Sequence, residues 1–280
     1  MTNTNANTEK TILVTAATGK TGSRIFKKLT EMGWPVRSGS RSAKPGFDWQ
    51  DKNTWSPALQ NIHTVYVCFH PDLAVPGAVD IIRSFTDTAI SQGIKKLVLL
   101  SGRGETEAQN CEQIVMNSGI NWSIVRASWF AQNFSEGYLI EPILAGHVAL
   151  PAGDVGEPFV DVDDIADVAV AALTDDKHNG QLYEVTGPRL LTFKDAIGEI
   201  AEATNRPIQY QQMTVKEYSE AIDGFVPEEF VDFLGYLFTE VLDGRNEKLA
   251  DGVQKALGRK PTDFSAYVRK TAATGVWNPQ

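Results

Sequence analysis

The sequence predicts an α/β fold, a doubly wound parallel sheet joined to a smaller, mostly helical C-terminal region. Three observations predict it. Short apolar runs that suit buried strands alternate with helix-periodic segments over the first two thirds of the 280 residues. The first of these units runs strand, small glycine-bearing turn, helix over residues 11–32. The last third changes character, to amphipathic helices with capping sequences and few strand runs.

In chain order, Thr11, Ile12, Leu13 and Val14 have strand character, and Ile25, Phe26, Leu29 and Met32 recur at helical spacing beyond the turn. The turn Ala16, Ala17, Thr18, Gly19, Lys20, Thr21, Gly22 is built of small residues. Backbone N–H groups at a helix start can hold a pyrophosphate only where no bulky Cβ blocks the approach. Gly22 lets the helix lie close to its strand. Alanine occupies the first of the three small positions, Ala16-x-x-Gly19-x-x-Gly22, and tolerates positive φ less well than glycine, so a differently shaped corner is expected.

Residues 34–39 read as the second strand. Arg37 lies in it and Arg41, Ser42 and Lys44 stand past it, with no acid before Asp48. A ribose 2′-hydroxyl calls for an acid at this place and a 2′-phosphate for arginine. The expected cofactor is therefore NADP(H) in preference to NAD(H), with Arg41, helped by Arg37, on the 2′-phosphate. Residues 47–50 read as a short third strand before a helix at 54–59. Thr64 to Cys68 reads as a buried strand. Ligands of open parallel sheets lie beyond the carboxyl ends of the strands, so Cys68, Phe69 and His70 should border the cofactor together with Asp48. His70 is a candidate proton donor, although a lone loop histidine is more often structural.

A helix over 75–92 leads to a strand over 96–100 that ends in Ser101 and Gly102. These are further cofactor-binding candidates, and Ser101 is the second catalytic candidate. A helix near 105–118 and a strand over 121–126 follow. In the loop beyond, Trp129 and Phe130 could wall a planar substrate or pack as core at a domain seam, and Asn133 could orient the substrate by a hydrogen bond.

These residues resemble the NmrA-like family, an atypical branch of the short-chain dehydrogenases. The likeness runs through residues 15–22, 36–41, 99–102, 125–134 and 159–166. Residues 47–49, 54–55 and 238–246 are more specifically similar to bacterial relatives of the fungal ergot-alkaloid (festuclavine- and agroclavine-type) reductases. The resemblance implies a Rossmann-type domain and NADPH-dependent reduction of an imine or iminium species, a reaction that needs no dedicated side-chain acid. The Tyr-x-x-x-Lys pair of ordinary superfamily members is absent: no tyrosine in the chain has lysine four residues on. Within the family some members reduce quinones, and others bind NADP as a redox signal.

Residues 137–153, with Tyr138 and His147, read as a loop-rich substrate lid, and Tyr138 joins Trp129, Phe130 and Asn133 as a pocket candidate. Asp161, Asp163 and Asp164 stand at the start of a helix over 163–173, where carboxylates cap and complement the helix dipole; no metal is expected there. A strand over 182–186 follows. Thr192-x-x-Asp195 and Thr214-x-x-Glu217 have capping-box form. Pro227 opens a longer helix with Phe230, Phe233, Leu234, Leu237 and Val241 inward, stopped by Gly244. A last helix over 263–272 precedes a frayed end. The expected organisation is a tail over 1–10, an NADP-binding domain over 11–153, and a C-terminal region over 154–280 that completes the sheet and covers the cleft.

Composition removes other classes. A net charge of −9 with no Lys/Arg run repels nucleic acid. No apolar stretch has membrane-spanning length. The Asn/Thr-rich start lacks the apolar core of a signal peptide. Two isolated cysteines and four scattered histidines offer neither a disulfide framework nor a metal set, in keeping with the cytoplasm. No serine-hydrolase elbow is present, and Val14 stands where a P-loop would need glycine. The expected protein is a monomeric or homodimeric reductase of a small planar electrophile (quinone, imine or iminium, enone). The alternative is a non-catalytic NADP sensor acting on a protein partner.

Overall fold

Strand Ile12–Thr15 (β1) is buried at every position, as a strand must be when helices cover both faces of its sheet. The computed structural model describes residues 10–224 and 228–279. Residues 1–9, Pro227 and Gln280 lie outside the described residues, so the expected tail and the proline start of the late helix do too.

The chain runs through Lys20–Glu31 (α1), Val36–Gly39 (β2), Trp55–Leu59 (α2), Thr64–Val67 (β3), Ala78–Ser91 (α3), Lys96–Gly102 (β4), Thr106–Met116 (α4) and Asn121–Ala127 (β5). Ile140–Ala145 (α5), His147–Leu150 (β6), Val162–Thr174 (α6) and Gln181–Val185 (β7) come next. The rest is Phe193–Thr204 (α7), Gln209–Gln212 (β8), Val215–Ile222 (α8), Glu228–Tyr236 (α9), Gly252–Leu257 (α10) and Phe264–Ala272 (α11). Six strands pair in parallel in the order β2-β1-β3-β4-β5-β7. The order reverses beside β1, and the crevice between the carboxyl ends of β1 and β3 is where such sheets bind ligands.

Alternate side chains of the strands feed two cores. Leu97 and Leu99 of β4 join Phe85, Ala89 and Val115 under α3 and α4, whereas Val98 joins Ile25, Leu29, Ile165 and Ala169 under α1 and α6. A third, aromatic core gathers Trp129, Phe134, Phe159, Phe193, Phe238 and Phe264, so residues 129–159 pack with the C-terminal helices. Both capping boxes form, at Thr192 and Thr214.

Four expectations are corrected. Residues 47–50 are not a strand: the Asp48 carbonyl accepts from Thr54 Oγ1 and Trp55 Nε1 at 3.2 and 2.8 Å, so local turns use the backbone while Phe47 and Trp49 plug the core. Residues 137–153 are not loop-rich: α5 and β6 occupy them, with Ile143, Val148 and Leu150 buried and β6 paired to β8. Beyond α9 the chain widens into a π-helical turn, Leu237–Val241. Phe238, four residues past buried Leu234, is 4% exposed and joins the core although it was not among the expected inward residues. The end is not frayed: Trp277 is fully buried and donates Nε1 to the Phe134 carbonyl at 2.8 Å.

Candidate functional site

The turn after β1 takes its shape from two close approaches. A Cβ on Gly22 would stand 2.1 Å from the Ala16 carbonyl oxygen and 2.7 Å from its carbon, so only glycine lets α1 start against the turn. Ala16 itself has φ +50°, the left-handed conformation that glycine would adopt. The expected change of corner does not occur: alanine keeps the glycine geometry, closed by Gly19 N–H donating to the Ala16 carbonyl at 2.8 Å. Gly19 is the N-cap of α1 and supplies no side-chain acceptor, and no acid stands in the first turn. The exposed Thr18 and Gly19 therefore precede uncapped N–H groups at the positive end of a helix, which suits a pyrophosphate.

Thr15 ties the two strand ends that flank the crevice. Its Oγ1 donates to the Tyr66 carbonyl at 2.9 Å and accepts from Cys68 N–H at 2.8 Å. The Cys68 carbonyl takes Trp49 Nε1 at 3.0 Å, and burial pushes the Cys68 thiol up to about 11, so it is a neutral wall beside buried Thr21. Phe69 points into the core, 5.2 Å from the Trp49 ring, and leaves only backbone to the crevice. His70 is exposed. Lys20 is lowered from its ordinary pKa by burial, partly offset by Glu136. Its Nζ lies 3.3 Å from where a Gly137 Cβ would be, which brings the Asn133 loop over the turn.

At the end of β2, Arg37 Nη1 donates to the carbonyls of Ala58 and Gln60 at 2.9 and 2.7 Å, so it fastens the end of α2. Asp48 Oδ1 accepts from Gln50 N–H at 3.0 Å, inside its own turn. Arg41 is exposed and has no ion-pair partner among the described residues. Ser42 is exposed beside it, its hydroxyl 3.4 Å from that of Ser40.

Ser101 is buried and donates to Glu112 Oε1 at 2.6 Å. Arg126 neutralises the fully buried Glu112 and also reaches Glu184 at 2.8 Å. That hydroxyl is held in a structural ion-pair network beneath Gly102. Trp129 is 9% exposed, its ring edge-on to Phe193 at 5.0 Å and tilted against Phe238 at 5.3 Å, so it packs with the aromatic core. Phe130 and Asn133 are half-buried, as is Tyr138, whose buried hydroxyl has no hydrogen-bond partner among the described residues.

Several groups escaped the sequence reading. The Arg103 guanidinium, 3% exposed, donates to Ser128 Oγ at 3.0 Å and to the carbonyls of Asn246 and Lys248 at 3.4 and 3.2 Å. Asn246 Nδ2 answers at the Arg103 carbonyl, 3.2 Å. The loop at 246–248 thus latches the β4 turn. Glu157 is fully buried, accepts Trp129 N–H at 3.2 Å, and is pushed up to about 7 by burial. Glu105 and Asp72 meet beyond β4 and β3; their place after strand ends was the available signal. The acids at the start of α6 cap it or pair with cations, Asp161 to the Asp163 N–H at 2.9 Å and Asp163 to Arg24 and Lys270. Among the described residues no group of three or more His, Cys, Asp or Glu could hold a metal ion, and no helix is long and apolar enough to cross a membrane.

A reversed parallel sheet with a glycine-cradled helix start beside the crevice defines a nucleotide-binding Rossmann domain. The chain belongs to the NAD(P)H-binding family, whose model matches residues 16–176. Agroclavine dehydrogenase of Claviceps purpurea (strain 20.1) is 30% identical to it, over 91% of this chain and 94% of its own. The NAD(P)H azoreductase of Xenophilus azovorans is 27% identical, over 94% of this chain and 98% of its own. The structure of NmrA, a negative transcriptional regulator, in complex with NAD superposes with a TM-score of 0.71 at 16% identity, over 95% of this chain and 98% of that one. This is an NAD(P)H-dependent oxidoreductase of that family.

Proposed function

We propose that the chain reduces a small planar electrophile, a quinone, an iminium or imine, or an enone, and prefers NADPH to NADH. One observation carries the cofactor preference: past β2 Arg41 stands exposed and without an ion-pair partner among the described residues, while Asp48, the next acid in the chain, is engaged in its own turn. When bound, the cofactor supplies hydride. The residues in position to hold it are Ala17 to Gly22 at the pyrophosphate, Arg41 and Ser42 at the 2′-phosphate, and Cys68, His70 and Gly102 along the strand ends. Arg37 supports the preference only indirectly, by fixing α2 below the loop.

Phe130, Asn133 and Tyr138 border the space left for substrate. The agroclavine dehydrogenase and NAD(P)H azoreductase relatives support a redox reaction on a small molecule. Calorimetric titration with NADPH, NADP+ and NADH tests the preference. Arg41→Ala should weaken NADPH by roughly tenfold to a hundredfold, one charge-assisted contact, and leave NADH unchanged. Unaltered NADPH affinity would remove Arg41 from the site. Turnover with quinone and iminium probes then separates a reductase from a protein that binds both redox forms and converts nothing.

A further inference from the structure

Three residues beyond the end of β4, the Glu105 side chain folds back over the strand. A Cβ on Gly102 would lie 2.2 to 2.3 Å from its carboxyl atoms, so the glycine is the seat on which that carboxyl rests. Asp72, five residues beyond β3, meets it from the neighbouring strand end, within hydrogen-bonding reach. Glu105 is 8% exposed, and its buried Oε2 receives no hydrogen bond from an N–H or hydroxyl donor among the described residues. Asp72 is half-buried. The turn between β4 and Glu105 is rigid: Gly104 has φ +77°, and Arg103 and Asn246 bond across it. A buried carboxyl is thus fixed at the carboxyl edge of the sheet, with a wetter carboxyl behind it.

We infer that Glu105, backed by Asp72, supplies the proton that accompanies hydride reduction of a proton-demanding substrate; the inference rests on the reductase reading above. A quinone becomes a hydroquinone by gaining one hydride, which NAD(P)H provides on going to NAD(P)+, and one proton. The Glu105 O–H bond breaks and an O–H bond forms on the substrate oxygen. The carboxylate left behind regains a proton from water by way of Asp72. An iminium needs only the hydride, so its reduction does not use the pair.

The surroundings keep the proton in place. Burial first, then Asp72, then Glu112 of α4 hold the Glu105 carboxyl well above the usual carboxylate range. Asp72 is raised by burial and restrained by the N–H groups of Ala74 and Leu73. Tyr236 faces Glu105 from α9, and the arginines of the adjoining loops are engaged elsewhere: Arg103 is turned to Ser128, and Arg245 Nη1 to the Gly104 carbonyl at 3.1 Å. Two carboxyls this close hold one proton between them.

The test uses the full chain with NADPH, menadione as the quinone and an N-methyl dihydroisoquinolinium as the iminium. Glu105→Gln should lose about a hundredfold or more of kcat/KM with menadione, the scale of general-acid catalysis, and stay within roughly threefold with the iminium and in NADPH affinity. Asp72→Asn removes the neighbouring negative charge and should move the alkaline limb of the menadione profile to lower pH. Independently of turnover, the wild type at about pH 8 should show the infrared C=O band of a neutral carboxyl that Glu105→Gln lacks. Equal losses on both substrates, an undiminished menadione rate, or no such band each overturn the assignment. A wild type inert toward both probes removes the reductase reading, and the donor with it.

Discussion

Replacing Gly22 by alanine tests the join between fold and cofactor in one step. The added Cβ would meet the Ala16 carbonyl oxygen at 2.1 Å, and that obstacle is backbone. Ordinary contact requires α1 to retreat by roughly 1 Å, a strain in the upper part of the 1–3 kcal/mol that overpacking costs. The same retreat carries the first N–H groups of α1 off the phosphate position; losing one charge-assisted bond of about 1.5–3 kcal/mol weakens NADPH by about tenfold to a hundredfold. Gly19→Ala is the control, since its Cβ would meet the same oxygen at 3.3 Å, a contact that a shift of a few tenths of an ångström relieves. Its stability should change by less than about 1 kcal/mol. Urea unfolding and calorimetric titration read both quantities. A Gly22→Ala protein with the parent's urea midpoint and NADPH affinity would refute the close-approach argument.

Other expected outcomes follow from single environments. Ala16→Gly should raise the unfolding free energy read by urea by up to about 1 kcal/mol, because φ +50° costs alanine more than glycine loses in chain entropy; a lower midpoint would count against strain at that corner. Glu157 has a folded pKa of about 7 against an ordinary 4.5, so its contribution to stability is fully present below 4.5 and is lost as pH rises through 7. The span is worth about 3 kcal/mol; Glu157→Gln should flatten the stability profile over that window, and parallel profiles would sink the assignment. Trp277→Ala removes a fully buried indole and its bond to Phe134, and should cost about 3–5 kcal/mol by urea unfolding; a loss below 1 kcal/mol would mean that the C-terminal segment is not pinned.

The strands that carry the sheet were legible because a run such as Leu97 to Leu100 has few alternatives once helices cover both faces. Gly22 was legible for the same kind of reason, since one residue type satisfies its place. Arg41 could be placed by counting one unit past the turn, although the counting could not tell that Arg37 would be turned to α2 and Asp48 to its own turn. Trp129 and Ser101 show the limit: each residue type suits a site, and only the far chain, Phe238 for one and Glu112 with Arg126 for the other, decides that each is structural. Trp277 looked free because its partner, Phe134, is distant in sequence. Glu105 and Asp72 read as an ordinary helix start and a loop acid until β3 and β4 bring them together.

The two fastenings that hold the strand-end loops are separated alike in the chain. Asn246 closes on Arg103, and Trp277 on Phe134, each across 143 residues. At ribosomal speeds of about 5–20 residues per second, 143 residues take roughly 7 to 30 s to follow. Strands β1 to β4 are made before the Arg103–Asn246 interval opens and β5 early within it, while the turn before Glu105 still lacks its latch. The residues of the phosphate turn are therefore synthesised well before the segments that seal the substrate end. Loss of Asn246 would show most strongly in the yield of newly made protein, and less in the melting of protein already folded.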